Sequence, residues 1–283
     1  MKSISILDLK EFENSDISYY KKDIVQSLKS PYCSKVEVYE DSSVFIRLKA
    51  ERKDINTNPL FVIGILEQSE TITIIRVSGD LSLIESIVQT QSFSSISDLF
   101  FSILFSLIKN DSEFLSLIES EAEKTEEKIL EGVDANFFPL LTKRKRIVSK
   151  FEAFYLDMLS ILYDLEEADK KTKNTLEQKI SRLQVYANRI CQNISEIRSE
   201  GESLQIEKEN KTMQFLTVVT TIFLPLSLLT SWYGMNWKNM KELDWKWGYL
   251  IFIVVAVLIV MLEFVFFITH GFFDKKKRKK KDK

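Results

Sequence analysis

Two cysteines and one histidine among 283 residues leave little for soft-metal chemistry. Cys33 and Cys191 lie too far apart in sequence to suggest a disulfide framework, and with His270 they cannot build a Cys/His metal site. Any metal this chain handles is held by oxygen. Glycine is scarce as well, at seven residues, and Ser78-Gly79-Asp80 lacks the surrounding glycines and the lysine of a phosphate loop, so it reads as a turn. The sequence contains no nucleophile–base arrangement, Walker motif or metalloprotease helix, and it does not read as an enzyme. The start, KSISILDLK, is too short and too polar for a cleavable signal peptide. A single sign of charge is also missing: the net charge is −2. The balance is uneven, because residues 274–283 hold eight basic and two acidic side chains and leave the remainder near −8.

Residues 1–93 read as a mixed α/β domain. Ser3–Leu9, Lys35–Tyr39, Val44–Glu51, Leu60–Leu66 and Thr71–Val77 alternate and are rich in β-branched residues, which predicts strands. Polar turns at 40–43 and 67–70 predict two hairpins, and Ile17–Ser30 is expected to be a helix stopped by Pro31. From Ser94 the pattern is helical. Residues 94–170 predict a hairpin: Ser97-Asp98 caps a helix that runs on into the acidic ESEAEKTEEKILE at 119–131. Gly132 to Pro139 makes the return, and Leu140–Glu167 comes back with Lys143-Arg144-Lys145-Arg146 opposite the acidic block. Beside the acidic residues and the apolar segments downstream, this basic cluster does not indicate nucleic acid. Leu176, Ile180, Leu183, Ala187, Ile190, Ile194 and Ile197 then keep a seven-residue repeat. One helix is expected from about Lys173 to Tyr233, about 90 Å long, and it needs neighbours to be stable.

The stretch Met213–Asn236, MQFLTVVTTIFLPLSLLTSWYGMN, carries no charge and is long enough to cross a bilayer core of about 30 Å. It is not uniformly apolar. Met213, Thr217, Thr220, Leu224, Ser227 and Ser231 recur at spacings of three and four and form one face; read backwards, the step passes Asn210, Ile206, Ser203, Ser199, Glu196 and Gln192. Phe215, Val218, Ile222, Pro225 and Leu229 form a separate apolar face. Such hydroxyls either bond helix carbonyls, their own or a neighbour's, or line a water-filled path. Gly234 is expected to take the left-handed turn that frees the last carbonyls, whose negative end favours a cation, and the Asn236 amide can bond an ion's water shell. Gly248–Phe273 is a second apolar span, with Trp232, Trp237, Trp245, Trp247 and Tyr249 as an aromatic belt. The basic tail after it places both termini in the cytosol of a multi-pass plasma-membrane protein. Glu263 is expected to be protonated and bonded to a hydroxyl among Thr217–Thr221.

Tyr233-Gly234-Met235-Asn236 closing the first of two C-terminal spans resembles the CorA family of divalent-cation channels. The resemblance extends through Thr221-Ile222-Phe223-Leu224-Pro225-Leu226, Met240-Lys241-Glu242-Leu243 and Trp245-Lys246-Trp247-Gly248-Tyr249. It implies an α+β cytoplasmic domain, long stalk helices and two transmembrane helices in a funnel-shaped homopentamer. Within it, residues 171–233 are stalk and first span (membrane part about 212–233), 234–247 the external loop, 248–273 the second span and 274–283 the tail. The implied activity is uptake of Mg²⁺, with Co²⁺ or Ni²⁺ as further substrates, down the electrochemical gradient. Gly234, Met235 and Asn236 would form the selectivity filter, with Asn236 meeting the hydrated ion and Glu242 gathering ions outside. Asn210, Met213, Thr217, Thr220, Leu224 and Ser227 would line the pore, and Glu196 and Ser199 its cytoplasmic mouth. Mg²⁺ is implied as a regulatory ion also, with Asp80, Asp164 and Glu177 as candidate carboxylates; no organic cofactor is implied. The loop reads MKEL where many relatives have MPEL. A proton-coupled zinc exporter of the same fold, or a non-conducting sensor, are the rival expectations.

Overall fold

The computed structural model describes residues 2–16, 19–30, 34–50, 60–132, 137–165, 169–235 and 246–269. Its chain divides into two compact units, Met1–Gly201 and Glu202–Lys283.

In the first unit, five strands form one sheet: β1 (Ser3–Asp8), β2 (Lys35–Val38), β3 (Val44–Ala50), β4 (Phe61–Glu67) and β5 (Thr71–Gly79), in the order β1-β5-β4-β3-β2. The two hairpins expected from the polar turns are present, β2 on β3 and β4 on β5, both antiparallel. The β1–β5 pairing is parallel, with Ser3 opposite Thr71 and Asp8 opposite Arg76. Side chains alternate across the sheet, so neighbours in β3 part company. Phe45 joins Leu66 and Ile75 on one face with Phe12, Ile24 and Leu28. Those last three come from α1 (Leu9–Asn14) and α2 (Lys21–Lys29). Ile46 and Leu48 join Ile63, Ile65, Ile72 and Ile74 on the other face, under the larger helical core. The sheet is therefore covered on both sides. A Cβ on Gly64 would lie 2.7 Å from the Phe45 ring, so this position keeps the sheet face low where α2 crosses.

The turn read at 78–80 is present and has a backbone reason. Gly79 holds φ +93°, and a Cβ there would sit 2.2 Å from the Leu60 carbonyl oxygen. Asp80 accepts from the N–H and hydroxyl of Ser82, opening α3 (Ser82–Thr90), a helix the sequence pattern did not announce. The next expected helix is two: α4 (Ile96–Leu107) and α5 (Asp111–Leu130), parted at residues 108–110. Its cap is Ser95, whose hydroxyl accepts from the Asp98 N–H, in place of Ser97-Asp98; Ser97 is buried inside the helix. Helix α6 (Phe137–Asp164) returns beside α5. Arg144 ties the pair, donating to the Glu121 carbonyl at 2.8 Å and the Thr125 hydroxyl at 2.7 Å, with the Glu121 carboxylate at 3.1 Å. Where α5 begins, the wholly buried Tyr155 hydroxyl donates to Asp111 at 2.9 Å, and burial together with that carboxylate pushes its pKa far up.

Helix α7 runs Lys170–Tyr233 without interruption, through Pro225. Asp169 accepts at its start from the N–H of Lys171 and from the N–H and hydroxyl of Thr172. The heptad side chains Leu176 through Ile197 are all buried, and Gly201 ends the series against Ile129 and Phe138, which would lie 3.3 and 3.6 Å from a Cβ there. Polar contacts hold the rim: Glu119 accepts from Tyr186 at 2.7 Å and Arg189 at 3.0 Å.

The second unit contains the rest of α7 and α8 (Gly248–Thr269). Both helices are long and apolar enough to cross a membrane. Tyr233 meets Phe252 edge to face at 5.2 Å, which sets the end of one beside the start of the other. Of the apolar face read from the sequence, Val218, Ile222, Pro225 and Leu229 are half-buried, whereas Phe215 is exposed. On α8, Phe252, Ala256, Ile259 and Glu263 are half-buried and Phe267 buried, again at spacings of three and four.

Candidate functional site

Every described residue of the seam predicted on α7 is exposed. Gln192, Glu196, Ser199, Ser203, Ile206, Asn210, Met213, Thr217, Thr220, Leu224, Ser227 and Ser231 are all exposed within the single chain. At 100° per residue, Gln192, Glu196 and Ser199 lie about 200° from the buried Ile190, Ile194 and Ile197 respectively. In this part of α7 the covered face and the exposed residues are thus opposite sides of the helix. From Glu202 to Thr217 every side chain of α7 is exposed.

The two threonines of the seam share one geometry. Thr217 donates to the Met213 carbonyl and Thr220 to the Leu216 carbonyl, each at 2.8 Å. Thr221 and Thr230 do likewise, to Thr217 at 2.8 Å and Leu226 at 3.0 Å. This is the own-carbonyl alternative left open by composition. It also has a chemical consequence, because a threonine that has committed its proton presents only oxygen lone pairs outward. Thr217 and Thr220 therefore face the seam as acceptors, the polarity that suits a cation or the hydrogens of water.

Two expectations need correction. Gly234 does not take the left-handed turn: among the described residues the glycines with positive φ are Gly79 and Gly132. Its N–H instead donates to the Thr230 carbonyl at 2.9 Å, extending the last helical turn, and Met235 donates to Trp232 at 3.4 Å. What glycine supplies here is closeness, since a Cβ would lie 3.1 Å from the Thr230 oxygen. The second correction concerns Glu263. Its Oε2 is shielded and has no hydrogen-bond partner among the described residues. No bond joins it to Thr217, Thr220 or Thr221; each of these donates to its own helix, and their oxygens, though able to accept, receive nothing from it.

Asn236, Glu242, His270, Cys33 and the basic tail lie outside the described residues. Among the described residues no three His, Cys, Asp or Glu side chains gather as metal ligands. The candidate regulatory carboxylates are spread: Asp80 caps α3, Asp164 ends α6 and Glu177 stands on α7. The sequence did not single out Arg47, which is buried in β3 and donates to the Ser30 carbonyl, nor the Tyr155–Asp111 pair. Nothing in hydropathy marks an arginine as buried when its partner is a distant backbone oxygen.

An α+β unit whose last helix continues as the first of two membrane-competent helices, with acceptor oxygens along its exposed face, defines a membrane-transport scaffold. The chain belongs to the CorA-like Mg²⁺ transporter protein family, which matches residues 8–278. It is 24% identical over 278 residues to a magnesium transport protein CorA of Mannheimia succiniciproducens, covering 94% of this chain and 83% of that one. A shorter stretch of 60 residues is 43% identical to a cobalt/magnesium transport protein CorA of Thermotoga maritima, covering 21% of this chain and 17% of that one. The complete structure of the CorA magnesium transporter from Methanocaldococcus jannaschii superposes with a TM-score of 0.70 at 21% identity, over 93% of this chain and 89% of that one.

Proposed function

We propose that the chain conducts Mg²⁺ into the cell through a pore lined by the exposed face of α7 in a homopentamer. The observation that carries this reading is that every seam residue read from the sequence, from Gln192 to Ser231, is exposed in the single chain. An all-round exposed helical segment such as 202–217 is not stable by propensity alone and calls for copies of itself. In such an assembly Asn210, Thr217, Thr220 and Ser227 supply oxygens to a hydrated ion, while Met213 and Leu224 form apolar constrictions. Glu196 and Ser199 stand at the cytoplasmic mouth. Asn236, next to the close turn at Gly234 and Met235, serves as the outer filter. An amide ring binds water of hydration and releases it again, which suits an ion that dehydrates reluctantly. Glu242 raises the local cation concentration outside. Co²⁺ and Ni²⁺ are further substrates of this filter, and Mg²⁺ also regulates. No ATP is required: a negative-inside potential draws in a divalent ion by about 4.6 kcal/mol per 100 mV, twice the single-charge value. Positive-inside charge places both termini in the cytosol.

The test is Mg²⁺ influx into proteoliposomes carrying the purified full chain, with a negative-inside potential, against Asn236→Ala. Influx in the parent and its loss in an equally assembled variant are expected. Equal influx in both refutes the filter. Absence of influx in a demonstrably pentameric parent refutes the Mg²⁺ channel, and outward Zn²⁺ movement on a pH gradient in the same vesicles would then identify the exporter.

A further inference from the structure

Helix α7 is held by different neighbours on two of its sides. Toward α5, Tyr186 and Arg189 donate to the Glu119 carboxylate at 2.7 and 3.0 Å. Toward α6, the Cys191 sulfur lies 3.5 Å from the Ser149 hydroxyl, and Arg198 donates to Thr142 at 3.3 Å. At 100° per residue, Arg189 stands about 60° to one side of the exposed Gln192 and Cys191 about 100° to the other. The exposed residues in this part of α7 are therefore bordered by an α5 flank and an α6 flank.

The same contacts set heights. Helix α5 runs with α7, since Glu119 meets Tyr186 and Ile129 lies beside Gly201. Helix α6 runs against it, since Ser149 meets Cys191 and Thr142 meets Arg198. Counted at one rise per residue, Leu156 of α6 is level with about residue 184 of α7. It is 52% exposed and stands within about 20° of Ser149 around its helix. At the same height α5 offers a groove of about 480 Å³ lined by Ser112, Glu113, Ser116, Leu117 and Ser120. The serines are small and leave room for a leucine.

Charge follows height as well. The α6 flank is acidic level with about residues 176–183, through Asp157, Asp164 and Glu177. It is basic near about 194–195, through Lys145 and Arg146. The α5 flank is the reverse, with Lys179 and Arg182 at the first height and Glu123 and Glu127 at about 190–197. Glu113 and Lys124 carry the other sign and stand farther around α5, about 120° and 140° from Glu119.

We propose that the α6 flank of one copy packs against the α5 flank of the next, with Leu156 seated at Ser116 in that groove. This packing rests on the homopentamer of the transport reading and specifies which surfaces meet in it. Copies in one membrane point the same way, so each height meets its own height. Acid then meets base at both levels, and an unlike pair of surfaces repeats around a closed ring. Packing α6 on α6, or α5 on α5, about a parallel axis sets acid on acid and base on base.

Paired cysteines in the full chain test it. Ser116→Cys with Leu156→Cys, treated in liposomes with a short bismaleimide, should give covalent multiples of the chain on a denaturing gel. Neither single variant should exceed the parent, whose Cys33 and Cys191 are the blank. A ladder in a single variant means that like surfaces meet, and overturns the packing. So does the absence of a ladder in a double variant whose native mass is oligomeric. A one-chain native mass in the parent overturns the homopentamer itself, and this packing with it. Arg146 and Glu127, level to within about one turn, supply a second readout. Arg146→Glu in the paired-cysteine chain should cut the cross-linked yield severalfold, and adding Glu127→Arg should restore it. An unchanged yield with Arg146→Glu overturns the charge match.

Discussion

Tyr155 and Asp111 show how one buried polar pair can constrain a helical core. The hydroxyl proton is shared with a carboxylate that is itself 3% exposed, at the first residue of α5. Tyr155→Phe keeps the ring contacts with Phe151 and Phe154 and removes only the donor. It should cost about 1–3 kcal/mol, the usual penalty for depriving a buried polar group of its partner. Denaturant unfolding of the detergent-solubilised chain measures it, and a change under 0.5 kcal/mol, on the order of a neutral surface substitution, would contradict the assignment. Neither residue was legible as a pair, because positions 111 and 155 meet only after α5 and α6 fold together. Gly234 is a related case. Glycine before Met-Asn was read as a left-handed turn, but sequence cannot distinguish a positive φ from a close carbonyl, and here it is the carbonyl.

Among the helices, the caps were the least legible features and carry a pH signature. The Thr172 hydroxyl, followed by the Thr172 and Lys171 N–H groups, holds the Asp169 carboxyl below its ordinary value of 3.8. A lowered folded-state value contributes stability above pH 3.8, and that contribution is lost as pH falls through the folded value. Acid titration should therefore unprotect the amides of Lys171 and Thr172 in hydrogen exchange more steeply in the parent than in Asp169→Asn; identical curves would refute the cap. The strands, by contrast, were legible in type and hairpin order, since alternation at Val44–Ala50 and Thr71–Gly79 is a local signal. The parallel β1–β5 pairing was not, because it joins Ser3 to Thr71 across three intervening strands of sequence. The division between α4 and α5 escaped for another reason: apolar side chains at Leu107, Ile108 and Phe114 keep a helical spacing across the break.

For the molecule as a transporter, the property to test is that α7 has covered and exposed residues. The covered ones are buried from Leu176 to Gly201 and half-buried at Val218, Ile222, Pro225 and Leu229. The seam residues are exposed throughout. If the seam lines a pore, Leu224, 67% exposed in the single chain, narrows it by apolar contact rather than by charge. Leu224→Ser should then raise Mg²⁺ flux severalfold without altering assembly, as judged by native mass and flux in the same proteoliposomes. Unchanged or reduced flux in a fully assembled variant would place the constriction elsewhere.

The amino-acid order alone was enough for the two long apolar helices and the heptad on α7, because helical periodicity is a property of consecutive residues. It was enough, too, for the Tyr233-Gly234-Met235-Asn236 resemblance, since that motif is contiguous. Tertiary structure decided which sheet face each strand residue took, that Ser95 and Asp169 cap, and that the threonine protons turn inward. It also decided that Glu263 stands shielded, with no bond to those threonines. These outcomes depend on which distant groups compete for one proton or one cavity, and that competition exists only once the chain has folded.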